Sequence, residues 1–489
     1  MERWKNWAGG LVAVAMVAGA MVEATGRPAP AAVQLFGPRR VNAPHFPGVP
    51  AWSRSAILWF GQNQQGLPGR NYADVRLGYT NTALHVRVTV VDYALWYPPS
   101  PSAATDLTQY DAIAIYLDTG HDRSAAPQTD DYWFLSAYRW DSGGNDPAYQ
   151  RRARGAGAGA GWNTSWADAW TDATNGDWNC DPGPNSNACG IDNGWTAFFN
   201  IPFSSIGLSA PPPTGTVIGF GVVLYDRDDQ PPAGAVAPQT WPETFNANSP
   251  VTWGELRFGE PSYRPLPAIA RGTTMIRAAS PADNAVEDAW MGGGGLCNGG
   301  QFGGSTVNHG AAVDLYFGTE VRSVHFPCFN KSFLRFQLGA IPPGKVIVSA
   351  SLTLHLWGSA APALAQRSWV HLFTVSDPWD EMTIHWNNAP LAQENVSATY
   401  VYTYARNPIM WPGDPYTWDA TQAVAEAYAR GQPLSVALYG SDTAEHSSKY
   451  LTSSEAENWN AAGRPRLDVV WGDAISLPRR VFVPRAVRQ

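Results

Sequence analysis

Residues 73–92 read ADVRLGYTNTALHVRVTVVD, and this stretch decides the fold class. From Leu84 to Val90 every second residue is apolar, which is the period of a strand with one buried face. Asn81 and Thr82 supply turn chemistry between this strand and the one before it. The stretch therefore predicts a strand, a tight turn and a second strand.

Further strand-like stretches follow along most of the chain. They are found in residues 107–120, 194–208 and 217–229 of the first half. In the second half, residues 333–358 combine a strand, a Pro-Pro-Gly turn and a long alternating strand. The 47 glycines and 40 prolines, beside only 15% charged residues, indicate many turns and short strands. The pattern predicts an all-β protein.

One helix interrupts this pattern near the C-terminal end. Asp419 is suited to cap its N-terminus, and Val424 and Tyr428 lie four residues apart on one face. Gly431 is expected to end the helix, and Pro433 follows it. The remainder of the second half is expected to be β.

The N-terminus has the features of a secretion signal. Arg3 and Lys5 precede an apolar run from Leu11 to Val22, and a small-residue cleavage site follows at Ala24. A retained anchor helix is the alternative, but the run is shorter than the roughly 20 residues that span a membrane. We expect a secreted, extracellular chain without a membrane span once the signal peptide is removed.

The cysteines favour the same compartment. Each half of the chain contains one closely spaced pair, and neither pair has the spacing of a zinc site. Two local disulfides fit an oxidising environment, where each restricts the unfolded state. The predicted pairs are Cys180 with Cys189 and Cys297 with Cys328.

Composition narrows the class of partner. The net charge of −8 gives no reason to expect nucleic acid or an anionic membrane. The chain contains 23 tryptophans, and an indole offers a flat apolar face with one N–H donor. Such a face in a loop can stack on the apolar face of a sugar ring. The alternative is that most of these tryptophans are core or loop anchors, and the functional interpretation needs only a few exposed ones.

Shifts in composition give the predicted boundaries. A Pro/Ala-rich segment follows the predicted signal peptide, and a second Pro-rich segment separates the two β-rich regions. A basic segment lies at the C-terminal end. The predicted organisation is a signal peptide at 1–24, a linker at 25–44, a first β-sandwich at 45–260, a linker at 261–272, a second β-sandwich at 273–473 and a basic tail at 474–489.

The first β-rich region resembles family 9 carbohydrate-binding modules. The resemblance rests on the stretches 73–92, 107–120, 194–208 and 217–229 quoted above, followed by Trp241. In that family a pair of tryptophans clamps a terminal sugar, so the resemblance implies this role for Trp96 and Trp241. The sequences around both, DYALWYPP and PQTWPETF, depart from better-known members, so the clamp or the sugar is expected to differ.

The second region is similar to DNRLRE-type domains, which form carbohydrate-binding family 96. The motifs are NHGAAVDLYFG at 308–318, residues 333–358, DPWDEMTIHWNNAP at 377–390, YTWDATQAVAEAYARGQ at 416–432 and RPRLDVVW at 464–471. A W-x-E-x-T-x-x-W pattern there, expected to be mainly structural, comprises Trp379, Glu381, Thr383 and Trp386. Both resemblances imply jelly-roll-like β-sandwiches, usually stabilised by calcium, so two tandem sandwiches of this kind are expected after the signal peptide.

Candidate ligand residues follow from these considerations. A Gly-, Asn- and Trp-rich patch near residues 154–179 is a candidate binding loop. The predicted sugar-binding residues are Trp96, Tyr97, Trp166, Trp170 and Trp241.

Aspartates at strand ends suggest a structural calcium site. Asp226, Asp228 and Asp229 follow one apolar strand, and Asp118 ends another. Ca²⁺ prefers several oxygen ligands, which such clusters can provide. The alternative is that these aspartates cap turns and remain solvated.

Catalytic motifs were searched for without a match. The chain has no serine-hydrolase elbow, no paired-histidine zinc helix and no phosphate-binding Gly-rich loop. The prediction is a secreted, non-catalytic carbohydrate-binding protein with a polysaccharide or glycan as partner, and association with a cell surface is a further expectation. The alternatives are a structural surface or matrix protein, and a glycoside hydrolase or accessory subunit whose facing carboxylates no sequence motif identifies.

Overall fold

The computed structural model describes residues 37–61, 72–92, 94–141, 144–157, 159–177, 185, 192, 194–292, 305–319, 329–359, 361–404, 406, 408–440 and 446–475. Strands dominate these residues, which confirms the predicted all-β class. Residues from Pro38 onward form one compact unit. All four cysteines, the signal peptide and the residues of the basic tail beyond 475 lie outside the described residues, so those predictions stay predictions.

The first half consists of thirteen strands in the described ranges. They are β1 Arg40–Ala43, β2 Ala56–Phe60, β3 Ala73–Tyr79, β4 Ala83–Val90, β5 Ala112–Asp118, β6 Asp131–Ala137, β7 Gln150–Gly155, β8 Trp162–Asn163, β9 Thr171–Asp177, β10 Gly194–Pro202, β11 Val217–Tyr225, β12 Gln239–Trp241 and β13 Gly254–Phe258. Short 3-10 turns lie at Trp52–Arg54, Leu107–Gln109, Pro147–Tyr149, Phe203–Ile206 and Pro250–Thr252.

The second half contains the remaining strands and the helix. They are β14 Ala268–Ile276, β15 Val286–Gly292, β16 Asp314–Thr319, β17 Phe329–Phe336, β18 Val346–Ser359, β19 Ser368–Val375, β20 Ala392–Val401, β21 Asp414–Asp419, α1 Thr421–Ala429, β22 Leu434–Gly440, β23 Lys449–Thr452 and β24 Arg466–Ala474. A 3-10 segment lies at Asn458–Gly463.

The first half is a sandwich of two sheets. One sheet has the strand order β1-β13-β11-β5-β6-β7-β8, with β12 beside β11, and the other has the order β2-β3-β4-β10-β9. The predicted hairpin is β3 and β4, paired antiparallel with Ala73 opposite Val90 and Tyr79 opposite Leu84. The alternating apolar residues of both sheets face each other and form one buried cluster.

The second half is also layered, and its two layers share a strand. The continuous strand order is β14-β24-β18-β23-β16-β17-β22-β19-β20, with β15 beside β17 and β21 beside β18. Residues Asp314–Phe317 of β16 pair with β23, whereas Gly318 already pairs with β17. Gly318 has a φ of 103°, which a glycine tolerates without a Cβ clash. This glycine therefore allows β16 to pass from one layer to the other.

The predicted helix is confirmed as α1. The Asp419 carboxylate accepts a hydrogen bond from the Thr421 backbone N–H at 2.8 Å, so it satisfies one of the free donors of the first turn. Val424 is fully buried, and Gly431 takes a left-handed φ of 64° after the last turn. Among the described residues, every helix falls short of the length and apolarity that a membrane crossing requires.

The two halves share a buried interface. The layer formed by β17, β22 and β19 is covered on both faces, because Leu334 points into the second core while Phe333 joins the apolar cluster of the first half. Trp59 of β2 packs edge-on against Phe373 and Tyr439, with ring centroids 5.0 Å and 5.7 Å away. Both faces of this layer are buried, including polar residues of β17 such as Asn330, Lys331 and Ser332.

Polar groups at this interface are paired across it. Asn42 donates from its backbone N–H to the Asn395 side-chain oxygen at 2.8 Å, and the Asn395 amide donates back to the Asn42 carbonyl at 3.1 Å. The Tyr439 hydroxyl donates to Asp74 at 3.0 Å. The Lys331 ammonium group is fully buried, 4.2 Å from the centroid of Trp59. The halves are thus joined by apolar packing and by specific hydrogen bonds.

Two predicted linkers are shorter than expected. The end of the 25–44 segment is strand β1, which pairs in parallel with β13 and buries Val41. The end of the 261–272 segment is the start of β14, which pairs antiparallel with β24. Backbone pairing orders both segments, although their composition is that of linkers.

His371 lies in β19 at this interface and makes stability depend on pH. Burial, with the nearby Arg76 charge, lowers its pKa from 6.5 to about 4. Between these values the unfolded chain binds a proton that the folded chain does not, so stability falls as pH decreases. We expect up to about 3 kcal/mol of the free energy of unfolding to be lost through this group.

The measurement is urea unfolding at several pH values, comparing His371→Phe with the unchanged protein. The variant is expected to lose less stability on acidification. His45→Gln, at an exposed position, is the control and should retain the full acid sensitivity. An unchanged pH profile in His371→Phe would show that other groups cause the loss.

Candidate functional site

Both tryptophans of the predicted clamp are buried in the described structure. Trp241 is only 1% exposed and packs against Phe220 with ring centroids 5.8 Å apart. Trp96 is 8% exposed, and its backbone N–H donates to the Asp111 carboxylate at 2.6 Å. Both indoles fill interior space in the first half, because a large apolar ring gains more from burial than from exposure. Neither presents a face to a sugar.

The other predicted sugar contacts also have structural partners. Trp170 is 4% exposed and stacks on Phe199 with an interplanar angle of 9°. Trp166 is half-buried, and its indole N–H donates to Asp168 at 2.9 Å. Tyr97 is half-buried, with its backbone N–H donating to the Asn185 side chain at 2.7 Å. Within the patch near 154–179, Trp166 and Trp170 are thus packed against the first half, whereas most of the other described residues between 156 and 169 are exposed.

A continuous line of aromatic side chains lies instead on the second half. Each ring centroid is between 3.7 Å and 5.8 Å from the next. We refer to it as the aromatic row; in spatial order it comprises His309, Trp290, Tyr316, Tyr450, Trp357, Trp411 and Trp459.

The aromatic row becomes more exposed towards one end. Trp290 is 7% exposed, whereas Trp411 is 44% and Trp459 is 66% exposed. Tyr316 and Trp357, between these ends, are half-buried. A half-buried ring is held in place by its packed edge and keeps one face accessible, which suits a rigid binding platform.

Strand register positions the centre of the aromatic row. Tyr316 of β16 lies directly opposite Tyr450 of β23. On the other side of β23, the register of β18 shifts between Leu356 and Gly358, which leaves Trp357 as the extra residue of a bulge. The row therefore runs across the strands from β16 through β23 to β18.

The alternation of buried residues in β16 and β18 is a sequence signal for the centre of the aromatic row. In β18, Leu352, Leu354 and Leu356 occupy the buried phase, so Trp357 falls on the opposite phase. Likewise, Tyr316 lies between buried Leu315 and Phe317. Strand phase thus marks Tyr316 and Trp357 at the centre of the row, whereas its most exposed members, Trp411 and Trp459, lie outside the strands.

A second aromatic surface covers the outer face of the eight-stranded sheet. Tyr116 of β5 is at its centre, with Phe245 at 4.9 Å and Trp162 at 5.9 Å between ring centroids. The Trp162 indole N–H donates to Asn248 at 3.1 Å. The half-buried members of this outer-sheet patch are Trp133, Tyr149, Trp162, Tyr225 and Phe245.

Two of the predicted calcium ligands meet in an acidic cluster. Asp226 and Asp228 lie with Asp92, and one carboxylate oxygen from each lies within 4.8 Å of the others. Burial raises the pKa of Asp226 to about 7, with the Asp228 charge adding to the rise. Asp226 is 6% exposed, and its Oδ1 has no hydrogen-bond donor. Asp229 is exposed, and its carboxylate caps the Gln230 N–H at 2.7 Å instead.

Asp118 belongs to a separate acidic cluster with Asp122 and Asp130, again with oxygens within 4.8 Å. Asp118 is fully buried, and its Oδ1 lacks a donor, while its Oδ2 accepts from the Arg123 N–H at 3.2 Å. Burial raises the pKa of Asp118. Asp118 therefore lies among acidic residues at a strand end, as expected, but it belongs to a different cluster from Asp226.

A third acidic cluster, which the sequence did not indicate, combines Asp288, Glu381 and Glu455. Asp288 is 1% exposed; its Oδ2 accepts from the Ser454 N–H at 2.8 Å, and its Oδ1 has no donor. Burial raises the pKa of Glu381 to about 7. Its members are far apart in sequence, so no local motif reveals them. The neighbouring Trp386 is fully buried, as expected for a structural residue.

Each cluster offers a compact set of hard oxygen ligands. Buried carboxylates that repel one another are costly unless they are protonated or a cation neutralises them. The donor-free oxygens of Asp226, Asp118 and Asp288 are therefore suited to Ca²⁺, which binds carboxylate oxygen.

Comparison with known proteins adds family information. The sequence model of carbohydrate-binding module family 96 matches residues 301–465. This confirms the expected similarity of the second half over that range, which includes every member of the aromatic row except Trp290. No curated protein matches the chain.

Solved structures similar to the N-terminal part include family 9 modules. A family 9 carbohydrate-binding module from Caldicellulosiruptor kristjanssonii in complex with cellotriose is 18% identical, with 46% of this chain and 95% of that chain covered and a TM-score of 0.32. The same kind of module in complex with glucose is 20% identical, with 46% and 98% covered and a TM-score of 0.30.

Proposed function

We propose that this protein binds carbohydrate without cleaving it, and that the aromatic row is the binding surface. The observation that carries the proposal is the row itself, a line of contacting aromatic rings that ends in the exposed Trp411 and Trp459 and, apart from Trp290, lies inside a segment that matches a carbohydrate-binding family. Indole and phenol faces stack on the apolar faces of sugar rings, while polar groups at the rim orient the hydroxyls. No bond is broken in this mode of action.

The acidic clusters support binding rather than hydrolysis. Glycosidases place two carboxyl groups about 5–10 Å apart, on either side of the bound sugar. Here the nearest oxygens of each cluster lie within 4.8 Å of one another, and Asp92 and Asp288 are almost completely buried. This geometry favours a cation between the carboxylates and leaves little room for a sugar between them.

A location outside the cytoplasm is part of the same proposal. It is supported by the apolar leader that ends near Ala24 and by the paired spacing of the cysteines. A glycan outside the cell would be the partner.

Calcium is the proposed cofactor, in a structural role, with Asp92, Asp226 and Asp228 as ligands in the first half. Saturating Ca²⁺ is expected to stabilise the fold by about 2–4 kcal/mol, because an ion that binds only the folded state shifts unfolding by mass action. The measurement is thermal unfolding with Ca²⁺ and with EDTA. Asp226→Asn should reduce the shift in melting temperature, and any remaining shift would come from the clusters around Asp118 and Asp288.

Asp229→Asn is the matched control for calcium binding, since Asp229 is adjacent in sequence but exposed and outside the cluster. The Asp229→Asn variant should keep the full Ca²⁺-dependent shift in melting temperature. Identical melting curves with Ca²⁺ and EDTA for the unchanged protein would reject the calcium proposal.

The proposed function is tested by a polysaccharide pull-down and a glycan array with the full chain, with and without EDTA. Binding to at least one glycan is expected. If no glycan is retained while circular dichroism shows an intact β fold, the structural alternative replaces the binding proposal.

A further inference from the structure

The third acidic cluster, formed by Asp288, Glu381 and Glu455, differs in its burial from a solvated group of acids. One carboxylate oxygen from each residue lies within 4.8 Å of the others. Asp288 is 1% exposed, and its Oδ1 is buried without a hydrogen-bond donor. Glu455 Oε2 is a second buried oxygen of the cluster without a donor. Acceptors that have left water and gained no donor are costly, so the cluster needs a positively charged partner or a proton.

The described protein does not neutralise this cluster with a basic side chain. Among the residues that the structure describes, no lysine or arginine forms a salt bridge with the three carboxylates, and the neighbouring Arg335 is bound to Glu287 at 2.5 Å. The backbone N–H groups of Asp288 and Ser454 donate to Glu381 and Asp288 at 2.6 Å and 2.8 Å, but each carries only a partial charge. A divalent cation removes the repulsion, and Ca²⁺ accepts carboxylate oxygens in a flexible geometry.

The three carboxylates come from separate segments of the second half. Asp288 lies on β15, Glu381 lies in the turn between β19 and β20, and Glu455 lies in the loop after β23. A cation bound by all three therefore connects these segments, whereas an aspartate that caps a turn stabilises only its own loop.

The cluster lies beside one end of the aromatic row. Trp290 follows Asp288 by two residues on β15, so the two side chains are on the same face of the strand. The Trp290 ring stacks on His309, with centroids 3.7 Å apart and an interplanar angle of 12°. The His309 segment is also tied to the cluster, because the Asn308 side-chain amide donates to the Glu381 carbonyl at 2.7 Å.

Glu455 connects the cluster with the centre of the row. One short loop separates it from Tyr450 of β23. In this loop the Ser453 hydroxyl donates to the Ala312 carbonyl at 2.7 Å, just before the strand that carries Tyr316. The position of Glu455 therefore affects both strands that present the central rings.

We infer that Asp288, Glu381 and Glu455 bind one Ca²⁺ ion, and that this ion holds the His309–Trp290 end of the aromatic row in its binding geometry. The ion is separate from the one proposed for the first half. Its effect on the row rests on the proposed carbohydrate-binding function, whereas the calcium site itself does not.

The calcium content of the full-length protein tests the site. Glu455→Gln removes one negative charge but keeps an Oε1 that can accept from the Ser454 hydroxyl. After equilibrium dialysis against Ca²⁺, inductively coupled plasma mass spectrometry should find about one ion fewer per chain in this variant. Glu457→Gln is the matched control, since Glu457 is exposed and outside the cluster, and it should bind as much Ca²⁺ as the unchanged protein.

Melting temperatures distinguish a metal ligand from a residue that only supports the fold. With saturating Ca²⁺, Glu455→Gln should melt below the unchanged protein, because it lacks the ion. With EDTA, it should melt at the same temperature or above, because one of the repelling charges is gone. Loss of a merely structural contact would lower the melting temperature in both conditions. Glu381→Gln should repeat this pattern.

Affinity electrophoresis tests the effect on the aromatic row. The gels contain xylan, glucomannan, hydroxyethyl cellulose, polygalacturonate or alginate at one fixed concentration of free Ca²⁺, because uronate chains bind the ion themselves. Glu455→Gln should bind the most strongly retarding polysaccharide at least about tenfold more weakly than the unchanged protein. Asp229→Asn makes the same change in net charge in the first half and should bind with unchanged affinity.

The outcomes separate the calcium site from its effect on the row. An unchanged calcium content in both Glu455→Gln and Glu381→Gln overturns the site, and the carboxyl groups then share a proton instead. A lower calcium content with unchanged polysaccharide affinity overturns the link to the row and leaves the ion a structural one. If no polysaccharide retards the unchanged protein, the link fails together with the proposed function, while the calcium content still decides the site.

Discussion

Replacing Trp411 and Trp459 together by alanine is expected to weaken polysaccharide binding at least about 100-fold. These are the two most exposed indoles of the aromatic row, at 44% and 66% exposure, and they contact each other edge-on. Removing them deletes stacking area at the open end. Because both side chains project from the surface, the fold should be retained. The measurement is affinity electrophoresis or calorimetry with a polysaccharide that the unchanged protein binds.

Trp140→Ala is the matched control. Trp140 is 51% exposed but belongs to the first half. Its loss should leave the affinity for the polysaccharide unchanged. This result would distinguish binding by the aromatic row from nonspecific binding by exposed aromatic side chains. Full binding by the double variant would place the site elsewhere, with the outer-sheet patch around Tyr116 as the next candidate.

Replacing Trp59 by alanine is expected to destabilise the whole chain by about 3–5 kcal/mol, as is usual for a large buried aromatic residue. Trp59 is completely buried, donates its indole N–H to the Pro390 carbonyl at 3.3 Å, and packs on Phe373 of the second half. Because its contacts span the interface, we expect one cooperative unfolding transition that moves as a whole. Calorimetry and urea titration followed by tryptophan fluorescence measure this effect.

Trp52→Ala gives the comparison for a less buried tryptophan of the same half. Trp52 is half-buried and packs against Phe46 and Phe198. Replacing Trp52 should lower the free energy of unfolding by less than replacing Trp59. If Trp59→Ala instead shows two transitions of which only one has moved, the halves unfold independently and the interface contributes little.

Local periodicity was sufficient to predict the class of fold. The alternation in 73–92 became the β3–β4 hairpin with the expected turn, and Asp419 and Gly431 bracket the single α-helix in the described chain. These features depend on neighbours within a few residues, which sequence spacing reports directly. Local spacing does not report backbone pairing between distant segments. Such pairing makes the ends of the two predicted linkers part of β1 and β14.

The site was harder to predict because exposure is a tertiary property. Trp96 and Trp241 lie in sequences that look like loops, yet both are buried, and Trp241 is the last residue of β12, paired opposite Val222 of β11. The members of the aromatic row come from separate strands and turns, and only the sheet order brings Tyr316, Tyr450 and Trp357 together. The acidic clusters show the same limit: Asp226 and Asp228 are local, but their partner Asp92 is not.

The first strand of the described chain has a consequence for biosynthesis. Asn42 of β1 pairs with β13 of its own half, yet its backbone N–H and its side-chain amide donate to Asn395, some 350 residues later. The ribosome must therefore synthesise most of the second half before β1 can make these contacts with Asn395. During that interval an unpaired strand edge and the future interface around Trp59 stay accessible. The N-terminal segment of the nascent protein thus depends on chaperones for the longest time. Truncation before β20 would also leave the N-terminal half without the contacts that complete its fold.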